Sequence, residues 1–507
     1  MNNINHAAPN FDTTGINVAK YREETYEPYA GNAYIEALPE LPDEEGLIQR
    51  LACRPKFAPQ EREMSVAHRL MALSKIKHIF VPTPRVVNLA RAMQLMMFEG
   101  YAPRSPGTQS DRENGQRLAT LLRAGSLSEL SQRNLAAQLS MGLIGSSGQG
   151  KSFTLRHIAD TVKPYYFHER TGKWQIPYLV VEMAYDGRSV NTLATAIVME
   201  LDRILPDANY YSLVMGGRGR NAETRLVMAL QLAYLHGVGM IVVDETQNQA
   251  SVDGEDAATQ KRRAPKDAVR ENPLTKLLIT ASNVSHMPLL MAGTPEMFNT
   301  VGNRFTRSRR LAGNGSAVWG PLTRSEAAVT GEFELILKVL FRYQWVKTPI
   351  EYSEDWADFF HRMTGGIPDI MTKLWASVQR LAITSDIETI TRELAQEVMK
   401  AEFRTVILGI ETVLNEHRIP AEVHAPDLVI PEQHVMDRCL SETPLPFEVE
   451  RVLSGDSTAG RPRKTRRPTK AKSAPAAATL DPKILTSADL RATAKAQCNP
   501  ATAQAST

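Results

Sequence analysis

The run Gly145-Ser-Ser-Gly-Gln-Gly150-Lys151-Ser152 constrains the chain more than any other segment. It follows an apolar stretch of strand character, Ser140 to Ile144, and precedes a helical pattern from Phe153 to Val162. Glycines in such a turn let successive backbone N–H groups curl inward, and the following helix adds its positive end. The spacing Gly-x-x-x-x-Gly-Lys-Ser is that of a phosphate-binding loop. Gly145, Ser146, Ser147, Gly148, Gln149 and Gly150 would wrap the phosphates, Lys151 would neutralise them, and Ser152 would add a hydroxyl to a Mg2+ shell. The expected ligands are ATP and Mg2+.

Two further runs have the right character and order. Met240-Ile-Val-Val-Asp244-Glu245 is a short apolar stretch ending in two carboxylates, the pattern of a buried parallel strand. Asp244 would hold Mg2+ through water, and Glu245 would orient and polarise an attacking water. Leu289-Leu-Met-Ala-Gly293 ends in Thr294, a polar group suited to sensing a terminal phosphate. Strand ends of an open α/β sheet converge on one crevice, so Lys151, Asp244 and Thr294 are expected to meet there. Together the three runs predict an ATPase site.

The 507 residues carry a net charge of +3, so overall electrostatics single out no polyanionic partner. The three cysteines, Cys53, Cys439 and Cys498, form no paired or metal-ligating pattern, which points to a reducing compartment. No apolar stretch reaches membrane-span length and the first residues do not resemble a signal peptide, so a cytoplasmic location without membrane contact is expected.

The expected fold class is α/β, with a P-loop parallel sheet sandwiched by helices, then an all-helical lid, flanked by flexible arms. Residues 1–60 are Pro-, Glu- and Tyr-rich and are expected as an extended arm; 61–135 hold helical patterns. Strands at 140–145, 178–183, 240–244 and 289–293 alternate with helices at 190–204 behind Ser189, 222–236 behind Asn221, and 273–282, giving a core over 136–325. Helices Glu332–Tyr343, Glu354–Met363, Asp369–Ala382 and Ile390–Asn415 make the lid over 326–416, the layout of the AAA+ ATPases. An extension over 417–454 leads to a tail over 455–507 too poor in large apolar residues to order itself. Arg461 to Lys472 in that tail carries seven bases and no acid, suited to DNA or an acidic surface.

Several blocks resemble the TnsC family, the AAA+ regulators of targeted bacterial transposition, which have TniB-like relatives. They are Asn32-Ala-Tyr-Ile-Glu-Ala-Leu-Pro39, Gly100-Tyr101, the P-loop, Val243-Asp-Glu-Thr-Gln247, Gly293-Thr-Pro295, Ser308-Arg-Arg310 and Asp427-Leu-Val-Ile-Pro-Glu432. The resemblance spans about residues 30 to 435. It implies a bacterial, nucleoid-associated homo-oligomer, ring or filament, that forms on double-stranded DNA with ATP bound. Such a protein links a target-selection protein to transposase subunits, and hydrolysis resets it.

An AAA+ site is completed by a neighbour's arginine, which stabilises transition-state charge. Arg309 in Arg304-Phe-Thr-Arg307-Ser-Arg309-Arg310 is the expected finger, with Arg307 as the alternative nucleotide contact. Arg188, Arg218 and Arg220 are the expected DNA contacts, made to phosphates without regard to sequence. Lys261 to Arg270 reads as an exposed insertion. Many relatives carry a lid arginine where Gly366-Ile-Pro-Asp369 places an acid, so either the lid contacts nucleotide differently, through Lys373, or it does not sense it. Other functions compatible with these residues are a replication-initiator or helicase-loader ATPase, and a nucleotide-bound DNA adaptor that does not hydrolyse.

Overall fold

In the computed structural model, residues 16–124, 139–183, 190–216, 221–246, 286–294, 316–324 and 331–414 are described. The core is a six-stranded sheet of order β2-β3-β4-β5-β1-β6, comprising β1 (Ser140–Gly145), β2 (Tyr166–His168), β3 (Lys173–Glu182), β4 (Val238–Asp244), β5 (Leu289–Gly293) and β6 (Ser316–Trp319). Only the β2–β3 hairpin is antiparallel; every other pairing is parallel. β1 and β4 are buried at every residue, as strands covered on both faces must be.

Alternation along the strands sends their side chains into two different cores. Leu179 and Val181 of β3, Ile241 and Val243 of β4, and Leu289 and Met291 of β5 face one side. There they meet α7 (Val190–Ile204) and α9 (Ala222–Leu235) through Leu193, Ile197, Leu201, Leu226 and Leu230. Asn221 caps α9, its side chain accepting from Thr224 N at 2.7 Å. On the other face, Tyr178, Met240, Val242 and Leu290 pack with α4 (Pro84–Tyr101) and α6 (Lys151–Ala159) through Met93, Met97, Leu155 and Ile158.

The second face also takes residues expected in an extended arm. α1 (Ala33–Glu36), α2 (Glu44–Leu51) and the chain between them bury Ile35, Leu38, Leu47 and Leu51 against α4 and the sheet. Asn32 and Asp43 cap the two helices, and the apolar residues between them are enough to dock so short a pair. Asn32 Nδ2 also donates to Tyr101 O at 2.8 Å, and Tyr34 packs on the Tyr101 ring. Two of the sequence blocks that resemble the TnsC family therefore fold onto one another.

A third core belongs to the C-terminal helices α10 (Glu332–Leu340), α11 (Glu354–Thr364), α12 (Pro368–Thr384), α13 (Arg392–Glu402) and α14 (Ile407–Leu414). The single helix expected over 390–415 is instead the pair α13 and α14, broken at Phe403–Val406. Ala72, Leu73, Ile76 and Ile79, from α3 (Val66–Ala72) and the 3-10 turn after it, are buried in this core too. The described residues from 61 onward are thus shared between two cores: the chain leaves the lid at Ile79 and enters the sheet layer with α4.

The segment that follows β6 joins the lid at a tight backbone contact. Leu322 N donates to Gly366 O at 2.8 Å, and a Cβ on Gly366 would lie 2.2 Å from Leu322 O. Gly366 has φ +68°, which L side chains adopt at a cost of about 1–3 kcal/mol. Gly366→Ala is expected to destabilise the chain by at least that much, with the clash added, as a lower urea midpoint will register.

The helix expected at 273–282, the Ser189 cap and everything from residue 415 onward lie outside the described residues. Among those described, no helix is long and apolar enough to cross a membrane.

Candidate nucleotide site

The three P-loop glycines are required for two different reasons. Gly148 and Gly150 both have φ +78°, the left-handed region that favours glycine. Gly145 is closed in, since a Cβ there would lie 2.7 Å from Trp319 O. A Cβ on Gly150 would meet nothing, so the loop is open to a ligand at that point. Ser146 N donates to Trp319 O at 3.2 Å, which fixes the loop's start to the end of β6. Lys151 Nζ lies within the curl, donating to Gly145 O at 2.7 Å and Ser146 O at 3.0 Å. Ser152 follows in the first turn of α6, at the positive end of the helix, with Ser147 exposed on the outer rim of the loop.

Strand register brings the other expected residues to the same edge. Ile144 pairs with Gly293 and Val243 with Met291. One step further on, Thr294 flanks Gly145 and Asp244 flanks Ala292. Asp244 is buried, and its Oδ1 accepts Glu245 N at 2.9 Å. Glu245 has φ +55°, an uncommon conformation for a side-chain-bearing residue, and it turns the chain sharply out of β4. Thr246, which sequence reasoning did not single out, helps to hold that turn. It is buried, and its Oγ1 donates to Ala292 O at 2.7 Å, tying the exit of β4 to the end of β5. Thr294 is likewise buried. Lys151, Asp244, Glu245 and Thr294 thus share the C-terminal edge of three adjacent strands. The Asp244 carboxylate and the Ser152 hydroxyl are hard oxygen donors of the kind Mg2+ takes.

Beside the P-loop opens a cavity of about 480 Å³, walled by Ile79, Phe80 and Val81 before α4, by Phe153 of α6, and by Ile336 and Leu340 of α10. Phe80 stacks on His157 at 3.9 Å between ring centroids, with Phe153 5.6 Å from Phe80. An apolar slot with a few placed polar groups suits a flat heteroaromatic ring. Phe153 directly follows the P-loop in the chain; the other wall residues belong to no motif and are brought to the loop by the fold.

Polar residues in the wall include Thr83, Arg85, Gln149, Asp369 and Lys373. Burial depresses the Arg85 guanidinium's proton affinity, and Glu332 partly restores it. At the lid, Asp369 N donates to Gly148 O at 3.2 Å, and a Cβ on Gly148 would lie 2.7 Å from Ile367. Asp369 thus meets the P-loop through its backbone. Its carboxylate pairs with Lys373 at 2.7 Å, which keeps a lid cation at the cavity. Arg188, Arg218, Arg220, Arg307 and Arg309 lie outside the described residues.

The parallel sheet with β1 between β5 and β6, helices on both faces, a P-loop after β1 and a helical C-terminal region make this an AAA+ fold. Residues 135–301 match the family described as AAA domain. No curated protein matches the chain. Among solved structures it is similar to the RuvB Holliday junction branch migration motor of Thermotoga maritima, at 14% identity over 61% of this chain and 77% of that one, with a TM-score of 0.25. A variant of RuvB from the same organism matches at 14% identity over 68% and 87%, with a TM-score of 0.26. Such loose superpositions add nothing to what strand order and the P-loop establish.

Proposed function

We propose that the chain is a Mg2+-dependent ATPase whose nucleotide state governs its assembly on duplex DNA, and that it regulates DNA transposition by linking a target-selection protein to transposase. The observation that carries the ATPase reading is the convergence of Lys151, Asp244, Glu245 and Thr294 on one sheet edge beside an apolar cavity. Ser152 and Asp244 would hold Mg2+, which would screen charge on the phosphates. Glu245 would orient the attacking water and receive its proton, and Thr294 would contact the terminal phosphate. Arg309, or Arg307, would enter from a neighbouring subunit. Arg188, Arg218 and Arg220 would contact the DNA backbone.

The transposition reading rests on the blocks resembling the TnsC family. Its support here is that Asn32-to-Pro39 and Gly100-Tyr101 form a single packed unit through the Asn32–Tyr101 hydrogen bond.

Sedimentation and negative-stain imaging with duplex DNA test this reading, comparing ATP, a non-hydrolysable analogue and no nucleotide. Rings or filaments that require both DNA and nucleotide are expected, and assembly indifferent to nucleotide would refute the switch. Lys151→Ala is expected to lose assembly, because removing the charged partner of a polyanion costs about 2–5 kcal/mol of affinity. A Lys151→Ala protein that still assembled and activated transposase would remove nucleotide from the mechanism.

A further inference from the structure

Arg85 stands where three parts of the molecule meet, and no motif marks it. It is the second residue of α4, just after the segment that crosses from the lid core to the sheet core. Thr83, at the cap position of α4, makes no capping bond. The carboxylate of Glu332, first residue of the lid helix α10, takes that place: its Oε1 accepts Arg85 N at 3.0 Å, and its Oε2 lies 3.4 Å from Arg85 Nε. A lid carboxylate thereby sits at the positive end of a sheet-layer helix, beside a guanidinium.

The rest of that guanidinium points at the P-loop. Arg85 Nη1 donates to Gly320 O at 2.9 Å, and Nη2 to Gln149 Oε1 at 3.4 Å. Its plane lies over the Trp319 ring, 4.8 Å from the centroid. Trp319 O in turn receives Ser146 N, so both ends of the loop, Ser146 and Gln149, are tied to one arginine. Because Oε1 of Gln149 faces a pure donor, its amide nitrogen is left to point elsewhere. That nitrogen is buried and has no protein partner, and Gln149 is one of the residues that line the cavity.

We propose that Arg85 is a positioning residue for the nucleotide: held by Glu332 of the lid, it sets Gln149 and the Trp319 wall of the P-loop, so that nucleotide affinity and lid position are coupled through one guanidinium. Lid displacement moves Glu332, releases Arg85 and frees the Gln149 amide to rotate. An occupied cavity opposes each of these changes, so binding draws the lid in. This rests on the nucleotide reading of the cavity.

The test uses the full chain and ADP with Mg2+ as the probe. Calorimetry gives the affinity, and the unliganded thermal midpoint is measured alongside for wild type, Arg85→Met, Arg85→Lys, Glu332→Gln and the Arg85→Met/Glu332→Gln double variant. Arg85→Met and Glu332→Gln should each weaken ADP roughly tenfold, within the usual range for coupling between sites. Their unliganded midpoints should stay within about 4 °C of wild type. The double variant should be no worse than the weaker single, because both act through the same contact. Arg85→Lys should not restore affinity, since one ammonium cannot serve Gly320 O, Gln149 and Glu332 together. Affinities within about twofold of wild type, losses that add, or a loss matched by lowered unliganded stability would overturn the proposal. Wild-type chain that bound no ADP would instead overturn the nucleotide reading beneath it.

Discussion

Glu245→Gln is expected to slow ATP turnover by about 10²–10⁴-fold while leaving nucleotide affinity nearly unchanged. The amide keeps the size of the carboxylate but cannot accept a proton from water. Binding is left to other groups: the P-loop backbone, Lys151 and the cavity walls. Glu245 is also held by its backbone rather than by its carboxylate alone. Its N–H goes to Asp244 Oδ1, its φ is +55°, and the next residue is anchored by Thr246 Oγ1 to Ala292 O. The substituted side chain should therefore occupy the same place. Single-turnover hydrolysis and ADP affinity measured on the same preparation separate the two effects. Turnover equal to wild type would favour the adaptor reading, in which nucleotide is bound but not consumed.

Breaking the Arg69–Glu388 pair is expected to give the largest loss of stability. Arg69 of α3 donates from Nη1 and Nη2 to the two Glu388 oxygens at 2.6 and 2.7 Å, and Nη1 also reaches Trp345 O at 3.0 Å. The two side chains are only 1% and 11% exposed, so water screens them little. Arg69→Met would leave a buried carboxylate with only Lys347 nearby, a change that typically costs about 3–5 kcal/mol. Arg69→Met combined with Glu388→Gln should recover part of that, because no charge is then stranded.

The same pair has a pH signature. The Arg69 guanidinium, above all other neighbours, holds the Glu388 carboxyl down at about 2 from an ordinary 4.5. The unfolded chain therefore takes up this proton first as acid is added. The stability from the pair is complete above about pH 4.5 and is lost as pH falls towards 2. Urea midpoints at pH 6 and pH 3.5 should differ less in Arg69→Met than in wild type. Equal pH dependence in the two proteins would show that the pair does not carry this linkage.

Sheet and P-loop were legible because their signals are local. A buried parallel strand is a short apolar run, and the loop's glycines and lysine are adjacent in the chain. Helices with clear period and a cap, such as α9 behind Asn221, were legible for the same reason. The short edge elements β2 and β6 were not, since three or four residues carry no usable period. Yet β6 ends in Trp319, which shapes the P-loop from outside. Helices α1 and α2 were hidden by the proline- and acid-rich composition around them, although their few apolar residues suffice to dock them.

By itself the sequence determined the P-loop and the carboxylates at a strand end, and in what order they occur. Backbone conformation at Gly148 and Gly150 and the period of each strand depend on neighbours in the chain, so local rules reach them. Only the tertiary structure decided the other half of the site. The cavity walls come from residues 76–86, 149–154, 319, 336–340 and 368–373, and Arg85 meets Gln149, Gly320 and Glu332 across separations of up to 247 residues. Contacts of that range follow from how the lid core and the sheet core share the N-terminal chain. That division depends on which apolar faces find one another in space.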